Sequence, residues 1–179
     1  IELVVQPSKI RSFKDKEYEA AGINLQEDLS DCDVLIGVKE VPIPELIPNK
    51  TYFFFSHTIK KQPGNRKLLQ AILEKKITLI DYETLTNENG ERIIAFGRWA
   101  GIVGAYNGLL TYGKKHGLYD LKPAHQCVDM EDMQEEYFKV KLPPIKIAVT
   151  GGGRVAGGAM EVLDKMEIRK VSVFDYLYK

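Results

Sequence analysis

Short apolar runs alternate with charged or amphipathic stretches along the whole chain. Ile1 to Gln6 predicts a buried strand, stopped by Pro7. Ser12 to Ala21 is charged and predicts a helix, with Gly22 as its C-terminal stop. Asp33 to Val38 is a compact apolar run rich in β-branched residues, the pattern of a parallel strand covered on both faces. Pro42, Pro44 and Pro48 exclude a regular helix interior or a central strand from the next stretch. Thr51 to Ser56 predicts a second strand of this kind, and Ile77 to Ile80 a third. Between them Asn65 is placed to cap a helix from Arg66 to Lys75, in which Leu68, Leu69, Ile72 and Leu73 form one apolar stripe.

The pattern continues after the Asn89-Gly90 turn signal with a short predicted strand, Arg92 to Phe96. Trp99 to Lys115 predicts a long helix with many small residues: Ala100, Gly101, Gly104, Ala105 and Gly108. Each Gly costs about 0.8–1 kcal/mol of helix propensity, and in exchange a face of small residues allows close packing against another subunit or domain. That face leaves a homo-oligomer open. Gly117 to Val128 is loop-like, and Glu131 to Val140 predicts a charged helix. Pro143-Pro144 marks the domain boundary, and Ile145 to Val149 starts a new βαβ unit. Strands alternating with helices predict parallel sheets in a doubly wound α/β architecture.

Composition narrows the function classes. The 179 residues carry 25 Lys+Arg against 25 Asp+Glu, a net charge of zero that argues against a nucleic-acid-binding domain. No apolar run approaches the ~18 residues of a membrane span. The first residues lack the basic region and apolar core of a signal peptide. Cys32 and Cys127 make no disulfide framework and match no zinc spacing, and no cluster shows metal-ligand spacing. A soluble, cytoplasmic chain with no metal, nucleic-acid or membrane partner is expected.

The segment Thr150-Gly151-Gly152-Gly153-Arg154-Val155-Ala156 carries chemistry of its own. It follows a predicted strand and opens a predicted helix. Read as G-x-G-x-x-A, Gly151 allows the tight turn, Gly153 lets the backbone approach a pyrophosphate, and Ala156 packs helix on strand. The free N–H groups of the helix start, through Arg154, Val155 and Ala156, suit phosphate. Asp175 lies 22 residues after Gly153, at the end of the predicted strand Val171 to Phe174, where a ribose-binding acid belongs. Arg154 instead suits a 2′-phosphate, so NAD and NADP both remain open.

Three polar residues follow three predicted strands: Lys39 after Val38, His57 after Ser56, and Glu83 after Asp81. Ligands of open parallel sheets bind outside the carboxyl ends of the strands, so these residues converge on one crevice. A lysine, a histidine and a carboxylate form a set suited to proton transfer. His116 and His125 lie in a helix end and a loop and are expected on the surface.

The ordered segments Gly37-Val38-Lys39-Glu40-Val41-Pro42, Phe55-Ser56-His57-Thr58-Ile59-Lys60-Lys61-Gln62, Ile80-Asp81-Tyr82-Glu83 and Ala95-Phe96-Gly97-Arg98-Trp99-Ala100-Gly101 resemble the saccharopine dehydrogenase family. That family belongs to the wider alanine dehydrogenase and transhydrogenase superfamily. The resemblance is strongest to the lysine–ketoglutarate reductase half of the bifunctional aminoadipic semialdehyde synthases. It implies two Rossmann-like domains with the active site in the cleft between them. Here residues 1–142 would be the substrate-side domain and residues 143–179 the start of an incomplete dinucleotide-binding domain. It implies NAD(P)-dependent interconversion of saccharopine with lysine and 2-oxoglutarate. The family's catalytic lysine and histidine match Lys39 and His57, its motif glutamate matches Glu83, and Arg92 matches an arginine that meets substrate carboxylate. A guanidinium suits that task because it binds carboxylate bidentately.

The family's first strand and an arginine-containing turn are absent from the sequence given. The start without Met and the stop after a strand-like segment are expected of a truncated piece. The nearest rival is an alanine dehydrogenase, with a comparable Lys-Glu-Pro and His arrangement. A non-catalytic nucleotide-binding module is the rival from another class.

Overall fold

Each apolar run is separated from the next by enough chain for a crossover, and the named strands of the described residues pair in parallel. The computed structural model describes residues 1–168. The chain divides into two units, Ile1–Ala95 and a second beginning at Phe96.

The first unit opens with β1 (Val4–Val5), α1 (Asp15–Ala20) and β2 (Asn24–Leu25), and β1 pairs with β2. The helix begins three residues later than its charge pattern predicts. The Glu17 carboxylate accepts the Lys14 N–H at 2.5 Å, which caps the helix at that point. Gly22 stops it in the left-handed region at φ 78°. β2 has only two residues and no apolar pattern, so periodicity could not reveal it.

A second sheet carries the candidate chemistry. It is built from β3 (Val34–Lys39), β4 (Thr51–Phe55) and β5 (Thr78–Asp81), in the order β3-β4-β5. Between β4 and β5 runs α2 (Arg66–Glu74). On one face of β4, Tyr52 and Phe54 are buried with Leu68, Ala71 and Ile72 of α2, and Leu46 and Ile77 complete the cluster. Phe54 is fully buried, which contributes about 1.5–3 kcal/mol. Asn65 does not cap α2 with its side chain; its Nδ2 donates to the His57 carbonyl at 3.1 Å. Arg92 to Phe96 forms no strand. Its one ladder contact is the antiparallel bridge Thr86–Arg92 across the Asn87–Glu91 turn, too little pairing to extend.

The second unit is helical: α3 (Gly97–His116), α4 (Met130–Glu135) and α5 (Arg154–Lys165). Ile102, Tyr106, Leu121, Met133, Tyr137 and Val162 form its core. The small residues of α3 find a partner within the unit. A Cβ on Gly101 would lie 1.9 Å from the Val155 carbonyl oxygen, and one on Gly158 would lie 2.0 Å from the Arg98 carbonyl oxygen. The α3 and α5 backbones therefore touch where they cross. Arg98 reinforces the crossing with a bidentate pair to Glu161, at 2.7 and 2.6 Å. Gly104 and Gly108 face open space.

Ile145 to Val149 is not a strand. It finds no neighbouring chain to pair with among the described residues, and a strand persists only through its neighbours. The predicted strand Val171 to Phe174 and Asp175 lie outside the described residues. The described residues thus form a mixed α/β structure with two small parallel sheets and five α-helices, and two full doubly wound domains do not appear among them. No helix among them is long and apolar enough to cross a membrane.

Candidate active site

The carboxyl ends of β3, β4 and β5 bring together residues far apart in sequence. β5 ends at Asp81 and a 3-10 turn, Tyr82–Thr84, follows at once. The Asp81 carboxylate caps this turn by accepting the Glu83 N–H at 2.9 Å. That turn carries Glu83 inward, where its side chain is only 2% exposed. β4 ends at Phe55, and His57 then takes a left-handed backbone conformation at φ 57°. Such a conformation is uncommon for a residue with a Cβ and reverses the chain into the turn Thr58–Lys60.

These two turns place three nitrogen groups on one carboxylate. His57 Nδ1 lies 2.9 Å from Glu83 Oε2. Lys60 Nζ lies 3.2 Å and Arg92 Nη2 3.1 Å from Glu83 Oε1. Burial raises the Glu83 pKa, but hydrogen bonds and charge from Lys60 and His57 outweigh it and hold the carboxyl below the ordinary glutamate value. An ionised Glu83 has no proton to give, so the shared proton resides on His57 Nδ1. In the neutral ring Nε2 then carries the lone pair. Lys60 Nζ also lies 3.2 Å from Nδ1, but with Nδ1 donating to Glu83 the ammonium bonds the carboxylate instead. The His57 ring lies against Phe55, with centroids 6.3 Å apart and planes 20° apart.

Lys39 reaches the same face by an irregularity in the sheet. Ile36 pairs with Phe53, yet Lys39 pairs with Phe55, so β3 spends one residue more than β4 between these pairs. This is a β-bulge at Gly37-Val38, and it reverses the alternation of side chains beyond it. Without it Lys39 would share the face of Leu35, which packs on the core. With it Lys39 lies beside Phe55, the ring against which His57 rests. Lys39 is exposed, and among the described residues its ammonium has no hydrogen-bond or ion-pair partner.

Lys60 is the residue that sequence reasoning missed. It stands three residues after His57, the spacing of one turn, which was the available signal. Arg92 is placed by the Thr86–Arg92 bridge, and one of its nitrogens is engaged by Glu83 while the side chain stays 45% exposed. His116 and His125 are exposed, as expected.

The glycine-rich turn lies in the second unit. Gly151 has φ 90°, a conformation that favours glycine. Nothing lies within 4 Å of a Cβ built on Gly151, Gly152 or Gly153. The first helical bond of α5 runs from the Gly157 N–H to the Gly153 carbonyl, so the N–H groups of Arg154, Val155 and Ala156 have no acceptor within the helix. An open glycine turn running into a helix of twelve residues fits a diphosphate.

A three-stranded parallel sheet with a histidine, a lysine and an arginine gathered on one buried carboxylate beyond its strand ends makes this an α/β protein with a candidate polar site. The family model described as "Alanine dehydrogenase/PNT, N-terminal domain" matches residues 1–103, and the chain belongs to that family. It is 37% identical over 182 residues to the mitochondrial alpha-aminoadipic semialdehyde synthase of Bos taurus, covering 92% of this chain and 20% of the relative. The Arabidopsis thaliana alpha-aminoadipic semialdehyde synthase is 33% identical, covering 89% of this chain and 17% of the relative. The saccharopine dehydrogenase [NAD(+), L-lysine-forming] of Yarrowia lipolytica is 27% identical, covering 96% of this chain and 51% of the relative. The chain thus spans about a fifth of the synthases' length and half that of the fungal enzyme.

Proposed function

We propose that the chain supplies the substrate-side acid–base machinery of an NAD(P)-dependent saccharopine dehydrogenase that interconverts saccharopine with lysine and 2-oxoglutarate. The observation that carries this reading is the buried Glu83 carboxylate holding the Nδ1 proton of His57 beside the bulged strand end of Lys39. In the lysine-forming direction a secondary amine loses a hydride and a proton, and the resulting imine takes up water and splits. The dinucleotide, when bound, accepts the hydride.

The chain's own residues handle protons and charge. One of His57 and Lys39 takes the amine proton. The other assists addition of water to the imine and collapse of the carbinolamine. The Nε2 lone pair equips His57 as a base, because Glu83 fixes the tautomer and steadies the imidazolium formed on protonation. Arg92, half-exposed beside Glu83, meets a substrate carboxylate. The backbone N–H groups of Gly153, Arg154, Val155 and Ala156 would hold the dinucleotide diphosphate at the Gly151 turn, and Asp175 would serve its ribose. In this reading residues 1–142 form the substrate-side domain and 143–179 open the dinucleotide domain, in a cytoplasmic or mitochondrial enzyme.

The test is turnover by the intact protein with saccharopine, and separately with alanine, in the presence of NAD+ or NADP+. The reading predicts reduced nicotinamide from saccharopine. Reduction with alanine alone would replace it by the alanine dehydrogenase reading.

A further inference from the structure

Ser56 and Asp81 are buried polar residues that the chemistry above leaves unused, at 1% and 6% exposure. Ser56 follows the last residue of β4 and Asp81 is the last of the adjacent parallel strand β5, one residue before His57 and two before Glu83. The Ser56 hydroxyl donates to Asp81 Oδ2. Having spent its proton there, Ser56 Oγ accepts the Thr58 N–H at 3.1 Å and the Thr58 hydroxyl at 2.8 Å. The other Asp81 oxygen accepts the Glu83 N–H at 2.9 Å. Ser56 thus grips the turn that carries His57, Asp81 grips the turn that carries Glu83, and one hydrogen bond joins the two.

The left-handed backbone of His57 makes this join consequential. A residue with a Cβ stays in that region only where its surroundings hold it. The holders here are Thr58 bound to Ser56 on one side and Asn65 bound to the His57 carbonyl on the other. Resting on the function proposed above, we propose that the Ser56–Asp81 pair is a positioning crossbar. It fixes the separation of the two turns, and through it the 2.9 Å contact between His57 Nδ1 and Glu83 Oε2. It touches no substrate and acts through His57 and Glu83.

The test uses Ser56→Ala, Asp81→Ala and Asp81→Asn in the intact protein, with two readouts. One is the kcat and KM for saccharopine. The other is the NMR signal of His57 Nδ1, assigned by its loss in His57→Gln, which reports the hydrogen bond to Glu83 without needing turnover. Displacement of a catalytic group by about 1 Å costs on the order of a hundredfold, so the alanine variants should lose roughly tenfold to a hundredfold in kcat with a smaller change in KM. Their Nδ1 signal should move toward that of Glu83→Gln. Asp81→Asn can still accept the Glu83 N–H and meet Ser56, so it should retain most of the activity and the wild-type signal.

Alanine variants that fold, keep kcat and keep the Nδ1 signal would overturn the crossbar while leaving the proposed function standing. If the wild type does not use saccharopine, the function fails and the Nδ1 signal alone decides the crossbar: displacement supports it and constancy refutes it. Should Asp81→Ala not fold, Ser56→Ala decides, since it removes one hydroxyl.

Discussion

Replacing Gly101 with Ala puts a methyl group where α3 and α5 leave no room. The added Cβ would sit 1.9 Å from the Val155 carbonyl oxygen and 2.9 Å from the Ala159 nitrogen. Both are backbone atoms of a helix, so no side chain can swing aside, and the helices must part by more than 1 Å to reach even the 3.0 Å floor of real contacts. Overpacking of this kind costs about 1–3 kcal/mol, and the upper end applies because parting the helices also loosens Ile102 and Val162 in the core beneath. Alanine returns about 1 kcal/mol in helix propensity, leaving a net loss of about 2 kcal/mol. Gly104 lies one turn further along the same helix with nothing within 4 Å, so Gly104→Ala keeps the propensity gain alone. The assay is thermal unfolding followed by the fluorescence of Trp99, the single tryptophan, which sits in α3. With ~4–8 °C per kcal/mol for a unit of this size, Gly101→Ala should lower Tm by on the order of 10 °C and Gly104→Ala should raise it by several degrees. Equal stability of the two variants, or a Gly101→Ala protein as stable as wild type, would refute the close crossing.

Acid should weaken the second unit. Hydrogen bonds from Lys139 and the Lys122 N–H hold the Glu136 carboxyl below its ordinary value despite burial. The native value is depressed, so this contribution is complete above the ordinary glutamate range and is lost as pH falls through the native value. Thermal unfolding at stepped pH should show Tm falling on the acid side, with a shallower fall in Glu136→Gln. Burial, and then the charge of Asp132, push the Cys127 thiol up, so alkylation at neutral pH should be slower than in the denatured chain; equal rates in the two states would contradict this. Arg92→Lys keeps a cation near Glu83 but loses the planar fork, and should raise KM for saccharopine by about tenfold with a smaller change in kcat. An unchanged KM would remove Arg92 from carboxylate binding.

The three sheet strands that carry the site were legible because each is a dense apolar run, and α2 because its stripe has helical spacing. Lys39, His57 and Glu83 were legible as polar residues at the ends of those runs. Their convergence depends on features that sequence patterns do not display. The bulge at Gly37-Val38 turns Lys39 to the face of Phe55, and only the register shows it. The left-handed turn at His57 is held by Ser56 and Asn65, the latter eight residues away. Lys60 was hidden because a lysine in a turn is most often solvated, and its partner Glu83 lies 23 positions further along. Ile145 to Val149 failed as a strand for the opposite reason: its pattern is right, but pairing requires neighbours that the described residues do not supply. The small residues of α3 signalled close packing, and the structure places α5 against Gly101.

The central claim is that His57 and Lys39 perform the proton transfers in saccharopine turnover. The most direct measurement is kcat/KM for saccharopine in the intact protein carrying Lys39→Met together with His57→Gln, beside wild type. Loss of general acid–base catalysis predicts a fall on the order of 10²–10⁴ with the folded structure retained. Turnover near the wild-type value would contradict the account.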